Sequence, residues 1–272
     1  MSHEKPMHAT VVTVTYQPGA LLEPTMESVR AQEGVRMDYV VVDGASTDGT
    51  VDRLRNFAQK VLGEESSGGR PGAGFSVRWI SEPDKGLYDA MNKGLAMAEG
   101  DYVLFLNAGD TLAHPRVLAD LWAEAPGASG YYGQAMVVDQ SNGTDIGLRR
   151  PLPPVRLGWR SLQWGMVVSH QAFVVRRELA LSYDLQYRIC ADIDWMIRCL
   201  HGMEQGGAPP MHFADRVLVR FLDGGLSSQR RSKAWKERFT ILSVRYGMIP
   251  NLLNHSWIAL RYVLRLFVPN FA

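Results

Sequence analysis

Residues 81–110, SEPDKGLYDAMNKGLAMAEGDYVLFLNAGD, contain the patterns of a loop, a helix and an apolar strand that ends in a turn sequence. Apolar side chains recur at helical spacing from Leu87 to Ala98, and the run at 101–107 is apolar almost throughout. A strand without polar alternation is typical of burial on both faces of a sheet. The stretch therefore predicts a helix packed beside a buried strand. Asp110 is either a turn residue or a functional carboxylate at the strand's carboxyl end.

The same alternation of strand and helix patterns precedes this stretch. Runs of β-branched and apolar residues at 9–17, 37–46 and 75–82 predict three more strands, and helical stripes follow the first two. Strands that alternate with helices are typical of a parallel sheet with helices on its faces. The predicted fold class is therefore α/β.

The carboxyl ends of the four predicted strands carry the candidate chemistry. In open α/β sheets, ligands bind outside these ends. Three of the four ends bring carboxylates to this edge, at Asp43, at Asp84 and at Asp110. Such a cluster repels itself unless it is compensated, and a cation would relieve the repulsion.

The glycine-rich phosphate cradles of common nucleotide-binding folds are missing. The first strand is followed by Gln17-Pro18-Gly19, which is neither G-x-G-x-x-G nor a Walker sequence. If phosphates bind here, a metal held by carboxylates must do that work. Mg²⁺ and Mn²⁺ take oxygen ligands, and Mg²⁺ is commonly held by one or two carboxylates plus substrate phosphates. An Asp at the end of a rigid strand suits that arrangement.

Composition describes an ordinary globular protein with unevenly spread charge. The 272 residues are 46% hydrophobic and 21% charged, and the net charge of +1 gives no reason to expect nucleic acid as a partner. From Met211 to Ala272, ten Lys or Arg oppose three acidic residues, which indicates an anionic partner such as a membrane surface. Cys190 and Cys199 suit neither a disulfide framework nor a zinc site. With no signal-peptide pattern and no apolar run of about 18 residues, we expect a cytoplasmic protein.

After residue 122 the regular alternation ends. Turn-rich stretches at 125–133 and 141–159 bracket a short strand. The other elements expected in this part of the chain are that strand at 135–138, a strand at 166–179, a helix at 191–203 with an acidic first turn, a final strand at 216–223 and an apolar segment with two arginines at 251–270.

The motifs VVTVTYQ, VVDGASTDGT and DKGLYDAMNKGLAMAEGDYVLFLNAGD, in this order, resemble the inverting GT-A-fold glycosyltransferases of family 2. The version with EPDKGLYDAMNKG is most similar to bacterial enzymes that build exopolysaccharides such as colanic acid. The resemblance implies a GT-A-type, mostly parallel sheet flanked by helices, the nucleotide-diphospho-sugar transferase fold. It divides the chain into a domain at 1–240, with a nucleotide-sugar-binding half at 9–125 and an acceptor half at 126–240. A C-terminal amphipathic helical tail follows at 241–272.

The resemblance implies a UDP-sugar donor. Asp43 would accept a hydrogen bond from the uracil ring, unless it is only a turn or cap residue. Asp84 would lie near the ribose or the sugar, or else cap the helix that begins near Gly86. The nucleotide-sugar-binding residues implied in this way are Thr15, Tyr16, Asp43, Asp84, Lys85, Asn107, Ala108 and Gly109.

Asp110 resembles the last carboxylate of the family's DxD-like motif, which binds the Mg²⁺ or Mn²⁺ that bridges the donor diphosphate. This chain departs from the pattern, because Asn107-Ala108-Gly109-Asp110 offers one carboxylate where many relatives have two or three. We therefore expect a metal that is loosely held until the diphosphate arrives.

The resemblance places the catalytic base in ADIDWMIR, with Asp192 as the general base and Asp194 as a supporting neighbour. His170 would support the acceptor side. Simpler interpretations stay open here. Both acids suit the first turn of a helix because they complement the helix dipole, and a histidine between apolar strand residues is commonly a packed side chain.

The expected function is inverting transfer of a sugar to a hydroxyl of a glycan or of a polyprenyl-diphosphate-linked acceptor, in bacterial surface polysaccharide synthesis. The tail, through 251–268, is expected to contact the inner face of the plasma membrane peripherally, or to pack on the domain or form a homodimer. A non-catalytic nucleotide-sugar-binding protein would keep Asp43 and Asp110 but would not need Asp192. A sugar nucleotidyltransferase would show a glycine-rich basic loop after the first strand, and YQPGALLEP has no Lys or Arg.

Overall fold

A computed structural model of the chain describes residues 6–66, 74–225 and 230–256. Within them, nine strands form one mixed sheet in the order β3-β2-β1-β4-β8-β6-β9-β5, with β7 paired to β6. The strands are β1 (His8–Thr15), β2 (Arg36–Asp43), β3 (Phe75–Ser81), β4 (Tyr102–Phe105), β5 (Thr111–Leu112), β6 (Gly130–Val138), β7 (Asp145–Leu148), β8 (Phe173–Arg176) and β9 (His212–Leu222).

Helices cover both faces of this sheet. They are α1 (Leu22–Arg30), α2 (Thr50–Ser66), α3 (Leu87–Met97), α4 (Val117–Glu124), α5 (Ala191–Gln205) and α6 (Arg231–Tyr246). Short 3₁₀ turns include Trp159–Trp164 and His170–Ala172, and residues 248–256 are also helical.

The first four strands in the order form the parallel half of the sheet. Thr15 at the end of β1 pairs with Asp43 at the end of β2, and Asp43 pairs with Ser81 at the end of β3. The carboxyl ends therefore share one edge, as the strand pattern predicts. The strands β1, β2 and β4 end two or three residues earlier than predicted, so Tyr16 and Asn107 lie in loops beyond the sheet.

The other half of the sheet is mixed rather than mostly parallel. Strand β8 runs antiparallel between β4 and β6, and β5 and β7 are antiparallel to β9 and β6, while β6 and β9 are parallel. Antiparallel neighbours need no crossover helix, which is why the helix–strand alternation fades in this part of the chain.

Two strand predictions in this half are wrong in extent. The stretch at 125–133 was expected to be turns, yet β6 begins at Gly130, where an added Cβ would lie 2.3 Å from the Val174 carbonyl oxygen of β8. The glycine here permits close approach of two strands instead of a turn. The stretch at 166–179 is a strand only from Phe173 to Arg176, because His170–Ala172 form a 3₁₀ turn before it.

Successive side chains of β1 point into two separate cores. Val11 belongs to the cluster beneath α1, α2 and α4, whereas Val12 belongs to the cluster beneath α3, α5 and α6. This confirms burial on both faces of the strand. Helix α3 lies very close to the sheet, because a Cβ on Gly94 would be 2.3 Å from a methyl carbon of Val12.

The C-terminal helix packs on the domain. Helix α6 runs through residue 240, where the sequence predicts a domain boundary, and it buries Ile241 and Leu242 beside α5. In the helical segment 248–256, Ile249 and Leu253 are exposed. Residues 257–268 of the expected tail lie outside the described residues, so membrane contact and dimerisation stay predictions.

None of the helices among the described residues is both long and apolar enough to span a bilayer. Cys190 and Cys199 are buried free thiols.

Replacing Gly94 with Ala should destabilise the fold by about 1–3 kcal/mol, because the new methyl group overpacks the contact between α3 and β1. The measurement is urea unfolding followed by circular dichroism. The matched control is Gly202→Ala in α5, where an added Cβ has no neighbour within 4 Å. That change should stabilise by roughly 0.5–1 kcal/mol, since Ala is the better helix former. Equal effects of the two substitutions would contradict close packing at Gly94.

Candidate active site

Asp43, at the end of β2, is fully buried and holds the following loop in place. Its Oδ1 accepts a hydrogen bond from the Ser46 hydroxyl at 2.5 Å. Its Oδ2 accepts bonds from the Ser46 N–H at 2.9 Å and the Ser81 hydroxyl at 2.6 Å. In this structure the carboxylate ties the loop after β2 to β3. The predicted bond to a uracil ring stays a prediction, and it would have to share an oxygen that Ser46 or Ser81 already engages.

The loops after β1 and β2 are joined in a strained conformation. Gln17 and Ala45 both have positive φ, at 50° and 62°, although neither is glycine. The Gln17 N–H donates to the Ser46 hydroxyl at 2.8 Å, which joins the two loops. Tyr16 is 68% exposed, and the Thr15 hydroxyl oxygen is buried without a hydrogen-bond partner. Backbone strain of this kind clusters at ligand sites, which is consistent with the predicted role of Thr15 and Tyr16.

Asp84 lies between the start of α3 and the loop after β2. Its Oδ1 accepts the N–H of Gly86 at 2.7 Å at the start of α3. Its Oδ2 lies 2.6 Å from the place a Cβ would take on Gly44, in the loop after β2. Asp84 therefore holds the start of α3 and also lies against the loop after β2. Lys85 is exposed beside it.

Asp110 is a buried carboxylate that joins three separate parts of the chain. Its Oδ2 accepts a bond from the Gln171 side-chain amide at 3.0 Å, and its Oδ1 accepts one from the Leu222 N–H at 3.3 Å. Burial raises its pKa from 3.8 to about 6, although the bond from Gln171 and the charge of His170 oppose the rise. Gly109 has φ 97°, and a Cβ there would lie 2.7 Å from a methyl carbon of Leu222. Gly109 is therefore needed for this packing.

His170 connects the end of β4 with the first turn of α5. Its Nδ1 lies 3.5 Å from Asp192 Oδ2, and its Nε2 lies 3.4 Å from the Asn107 amide nitrogen. The Asn107 side-chain oxygen is buried without a hydrogen-bond partner. The structure thus brings Asn107, His170 and Asp192 into one line of contacts, with Asp110 close to His170.

Asp192 has a hydrogen-bond donor on one carboxylate oxygen and the imidazole of His170 near the other. Oδ1 accepts the Ile193 N–H at 2.9 Å, and the Tyr88 hydroxyl, which donates to the Ile189 carbonyl at 2.8 Å, lies 3.3 Å from it. Oδ2 faces His170. Burial, and then the charge of Asp192, raise the pKa of Tyr88 well above 10, so this hydroxyl remains a donor. The Asp192 side chain is 19% exposed, whereas Asp110 and Asp43 are buried. Of these three carboxylates, Asp192 is the most exposed.

Asp194 is engaged elsewhere. It is fully buried, and its oxygens accept bonds from Arg198 and Arg245, each at 2.7 Å. These contacts fasten α6 to α5, and they do not include Asp192 or His170. Its supporting role in the reaction stays a prediction, and in this structure Asp194 joins α6 to α5.

Three residues that contact the candidate site residues, or the segment that leads into them, were not predicted from the sequence. Tyr88 reaches Asp192 across 104 positions of sequence. Gln171 follows His170 in the HQ pair, yet only its contact with Asp110 reveals a role. The Glu237 carboxylate of α6 accepts three N–H groups at 2.6, 2.7 and 2.6 Å from the segment just before α5. That segment, 188–190, leads directly into the turn that carries Asp192.

The residues present suit a cation that takes few protein ligands. Among the described residues there is no group of three or more His, Cys, Asp or Glu side chains that could hold a metal. Asp110 supplies one carboxylate, and Asn107 supplies a buried oxygen without a partner. Mg²⁺ commonly binds through one or two carboxylates, with phosphates and water completing its coordination. The set thus fits Mg²⁺ or Mn²⁺ only where a ligand contributes further oxygens.

Comparison of the sequence with known proteins identifies the family of the chain. Residues 10–183 match the family described as Glycosyl transferase family 2. An uncharacterised glycosyltransferase of Mycobacterium tuberculosis is 34% identical over 196 residues, which cover 70% of this chain and 67% of that protein. A PGL/p-HBAD biosynthesis glycosyltransferase of Mycobacterium bovis is 30% identical over 254 residues, covering 88% and 86%. The chain belongs to glycosyl transferase family 2.

Solved structures with low sequence identity share the fold. S. aureus TarS 1–349 in complex with UDP superposes with a TM-score of 0.62 at 16% identity, over 88% of this chain and 65% of that one. The mannosyltransferase PcManGT from Pyrobaculum calidifontis, in complex with GDP-Man and Mn²⁺, gives 0.60 at 17% identity, over 97% and 82%. The expected GT-A fold is therefore confirmed, and the protein is a glycosyltransferase.

Replacing Glu237 with Gln should loosen the segment before α5, because charge-assisted bonds of this kind contribute about 1.5–3 kcal/mol. Hydrogen–deuterium exchange at the amides of 188–190 should accelerate. The control is Glu204→Gln, an exposed position at the other end of α5, which should leave these amides unchanged. Unchanged exchange in Glu237→Gln would mean that α6 does not hold this segment.

The burial of Asp110 predicts a pH-dependent effect on stability. Because its folded pKa of about 6 lies above 3.8, its contribution is most favourable below pH 3.8 and is lost as the pH rises through about 6. Relative to Asp110→Asn, wild type should therefore lose up to about 3 kcal/mol of unfolding free energy between pH 4 and pH 7. Urea unfolding in EDTA measures this difference. As a control, the difference in unfolding free energy between wild type and Asp52→Asn, at an exposed position, should change little with pH. If the difference between wild type and Asp110→Asn is equally independent of pH, burial of Asp110 has no such cost.

Proposed function

We propose that this glycosyltransferase moves a sugar from a UDP-sugar to a hydroxyl of a glycan or lipid-linked acceptor, with inversion at the anomeric carbon. The observation that carries the proposal is the line of contacts from Asn107 through His170 to Asp192. It places a reachable carboxylate next to the strand end that carries Asp110. S. aureus TarS, solved with UDP and with UDP-GlcNAc, supports a nucleotide sugar as the donor.

Asp192 is the general base of the proposed reaction. As the acceptor oxygen forms its bond to the anomeric carbon, its proton passes to Asp192 Oδ2 and the nucleoside diphosphate leaves. The Ile193 N–H holds Oδ1, with the Tyr88 hydroxyl beside it, and Oδ2 faces His170. A positioned base of this kind typically contributes about 10²–10⁴-fold.

The burial of Asp43 and Asp110 favours inversion. A double displacement would need a nucleophile on the face of the sugar opposite the leaving group, in addition to a base. Asp43 and Asp110 are buried and already accept internal hydrogen bonds. Neither is exposed as a nucleophile, so a single in-line attack assisted by Asp192 is the favoured course.

Asp110 and the Asn107 oxygen would hold Mg²⁺ or Mn²⁺ in this proposal. When bound, the cation neutralises charge on the leaving diphosphate. Gln171 and the Leu222 N–H orient the Asp110 carboxylate and favour its ionised form. The structure of glucosyl-3-phosphoglycerate synthase from Mycobacterium tuberculosis with Mn²⁺ and UDP, at a TM-score of 0.55, supports a metal in this fold.

The acceptor is proposed to belong to cell-surface glycan or glycolipid synthesis. The M. bovis relative is named for PGL/p-HBAD biosynthesis. A putative teichuronic acid biosynthesis glycosyltransferase of Bacillus subtilis is 32% identical over 110 residues, 40% of this chain. These two names support an acceptor of this kind.

A panel of UDP- and GDP-sugars with Mn²⁺ or Mg²⁺, monitored by release of the nucleoside diphosphate, tests the proposal. Asp192→Asn should lower kcat by about 10²–10⁴-fold and retain donor affinity, because the base acts in the transition state. Asp110→Asn should lose metal-dependent donor binding. The control Glu204→Gln, on the same helix as Asp192, should match wild type. Absence of turnover with every nucleotide sugar would refute the proposal, and full turnover by Asp192→Asn would place the base elsewhere.

A further inference from the structure

Two arginines from distant parts of the chain meet at the turn formed by Gly165 and Met166. Arg149 directly follows β7, and its Nη2 donates to the Met166 carbonyl at 2.8 Å. Arg238 lies on α6, and its Nη1 is 3.9 Å from the position that a Cβ would take on Gly165. Gly165 has φ 108°, so the backbone conformation that receives both guanidinium groups favours glycine. The two positive charges are therefore held side by side by the fold.

Neither arginine has an acidic partner within ion-pair distance in the part of the chain that the structure describes. This distinguishes them from Arg198 and Arg245, which both pair with Asp194. Both residues are partly buried. Burial lowers the pKa of Arg149, the negative charge of Asp192 raises it, and the positive charge of Arg238 lowers it further. Two like charges in such surroundings are costly unless an anion joins them.

The pair lies beside the proposed base. Arg238 directly follows Glu237 on α6, and the Glu237 carboxylate accepts the N–H groups of Ile189 and Cys190, just before Asp192. The charge of Asp192 also affects Arg149, in agreement with this placement. None of the nitrogen atoms of Arg149 is both buried and without a hydrogen-bond partner. An anion bound here would be close to the carboxylate that takes the acceptor's proton.

Phosphate is the anion that this arrangement recognises best. Guanidinium groups present planar forks that bind phosphate oxygens through paired hydrogen bonds. We propose that Arg149 and Arg238 together bind a phosphate or diphosphate group of a substrate, next to Asp192. This inference rests on the proposed function, because it assigns a chemical class to a substrate of the same site. Both arginines come from outside the parallel half of the sheet, which favours the acceptor's phosphate over the donor's diphosphate.

Binding measurements on the full chain test this inference without turnover. In one arm, inorganic pyrophosphate is titrated by calorimetry in EDTA, which removes any contribution of a metal at Asp110. In the other arm, UDP is titrated with Mn²⁺. The variants are Arg149→Gln, Arg238→Gln and Arg149→Lys, and the control is Arg156→Gln, an exposed arginine without a described ion pair. Circular dichroism and the Tm of each variant show whether it is folded.

Wild type and Arg156→Gln should bind pyrophosphate equally, and each Gln variant should bind it about tenfold more weakly, with Arg149→Lys in between. Unchanged UDP affinity in the Gln variants would assign the site to the acceptor's phosphate. A parallel loss of UDP affinity would assign it to the donor's diphosphate, and either result supports the site. Pyrophosphate binding that is absent, or equal in all folded variants, overturns the inference. Since UDP binding and turnover by wild type are measured separately, that result would leave the proposed function standing.

Discussion

The carboxylate of Asp110 is the point on which the two halves of the molecule depend. A single buried acid accepts hydrogen bonds from the turn before β8 and from the end of β9, while its own backbone continues the loop after β4. Removing an ionised carboxylate from water is costly, and these two bonds offset only part of that cost. The loop after β4, the turn before β8 and the end of β9 are thus joined by a group whose burial opposes stability. Sites built for charge chemistry commonly carry such a cost.

Much of the parallel half could be predicted from the sequence because its signals are local. Apolar runs, helical stripes and polar strand ends recur in order, and the shared edge follows from the geometry of parallel strands. The acidic first turn of α5 was visible for the same reason. The mixed half could not be predicted in this way, because Gly130 has the local signature of a turn although it serves close packing against Val174. A glycine does not reveal from sequence which of its two uses applies.

The environment of the proposed base depends on contacts that no local pattern encodes. Tyr88 reaches Asp192 because α3 and α5 share one core, and Glu237 reaches the segment before α5 because α6 packs on the same face. The meeting of Arg149 and Arg238 arises in the same way. The sequence indicates which residue types carry the chemistry, whereas packing between helices decides which oxygen of Asp192 accepts the Ile193 N–H and which faces His170.

The position of β8 has a consequence for synthesis of the chain on the ribosome. This strand lies between β4 and β6 in space, yet it is made about seventy residues after β4. If the parallel half assembles as it emerges, β4 is an exposed edge until residues 173–176 have been translated, and unpaired edges invite association with other chains. With only four residues, β4 offers a short template for such pairing. Because β4 is short, it protects the nascent protein from such association until β8 has been made.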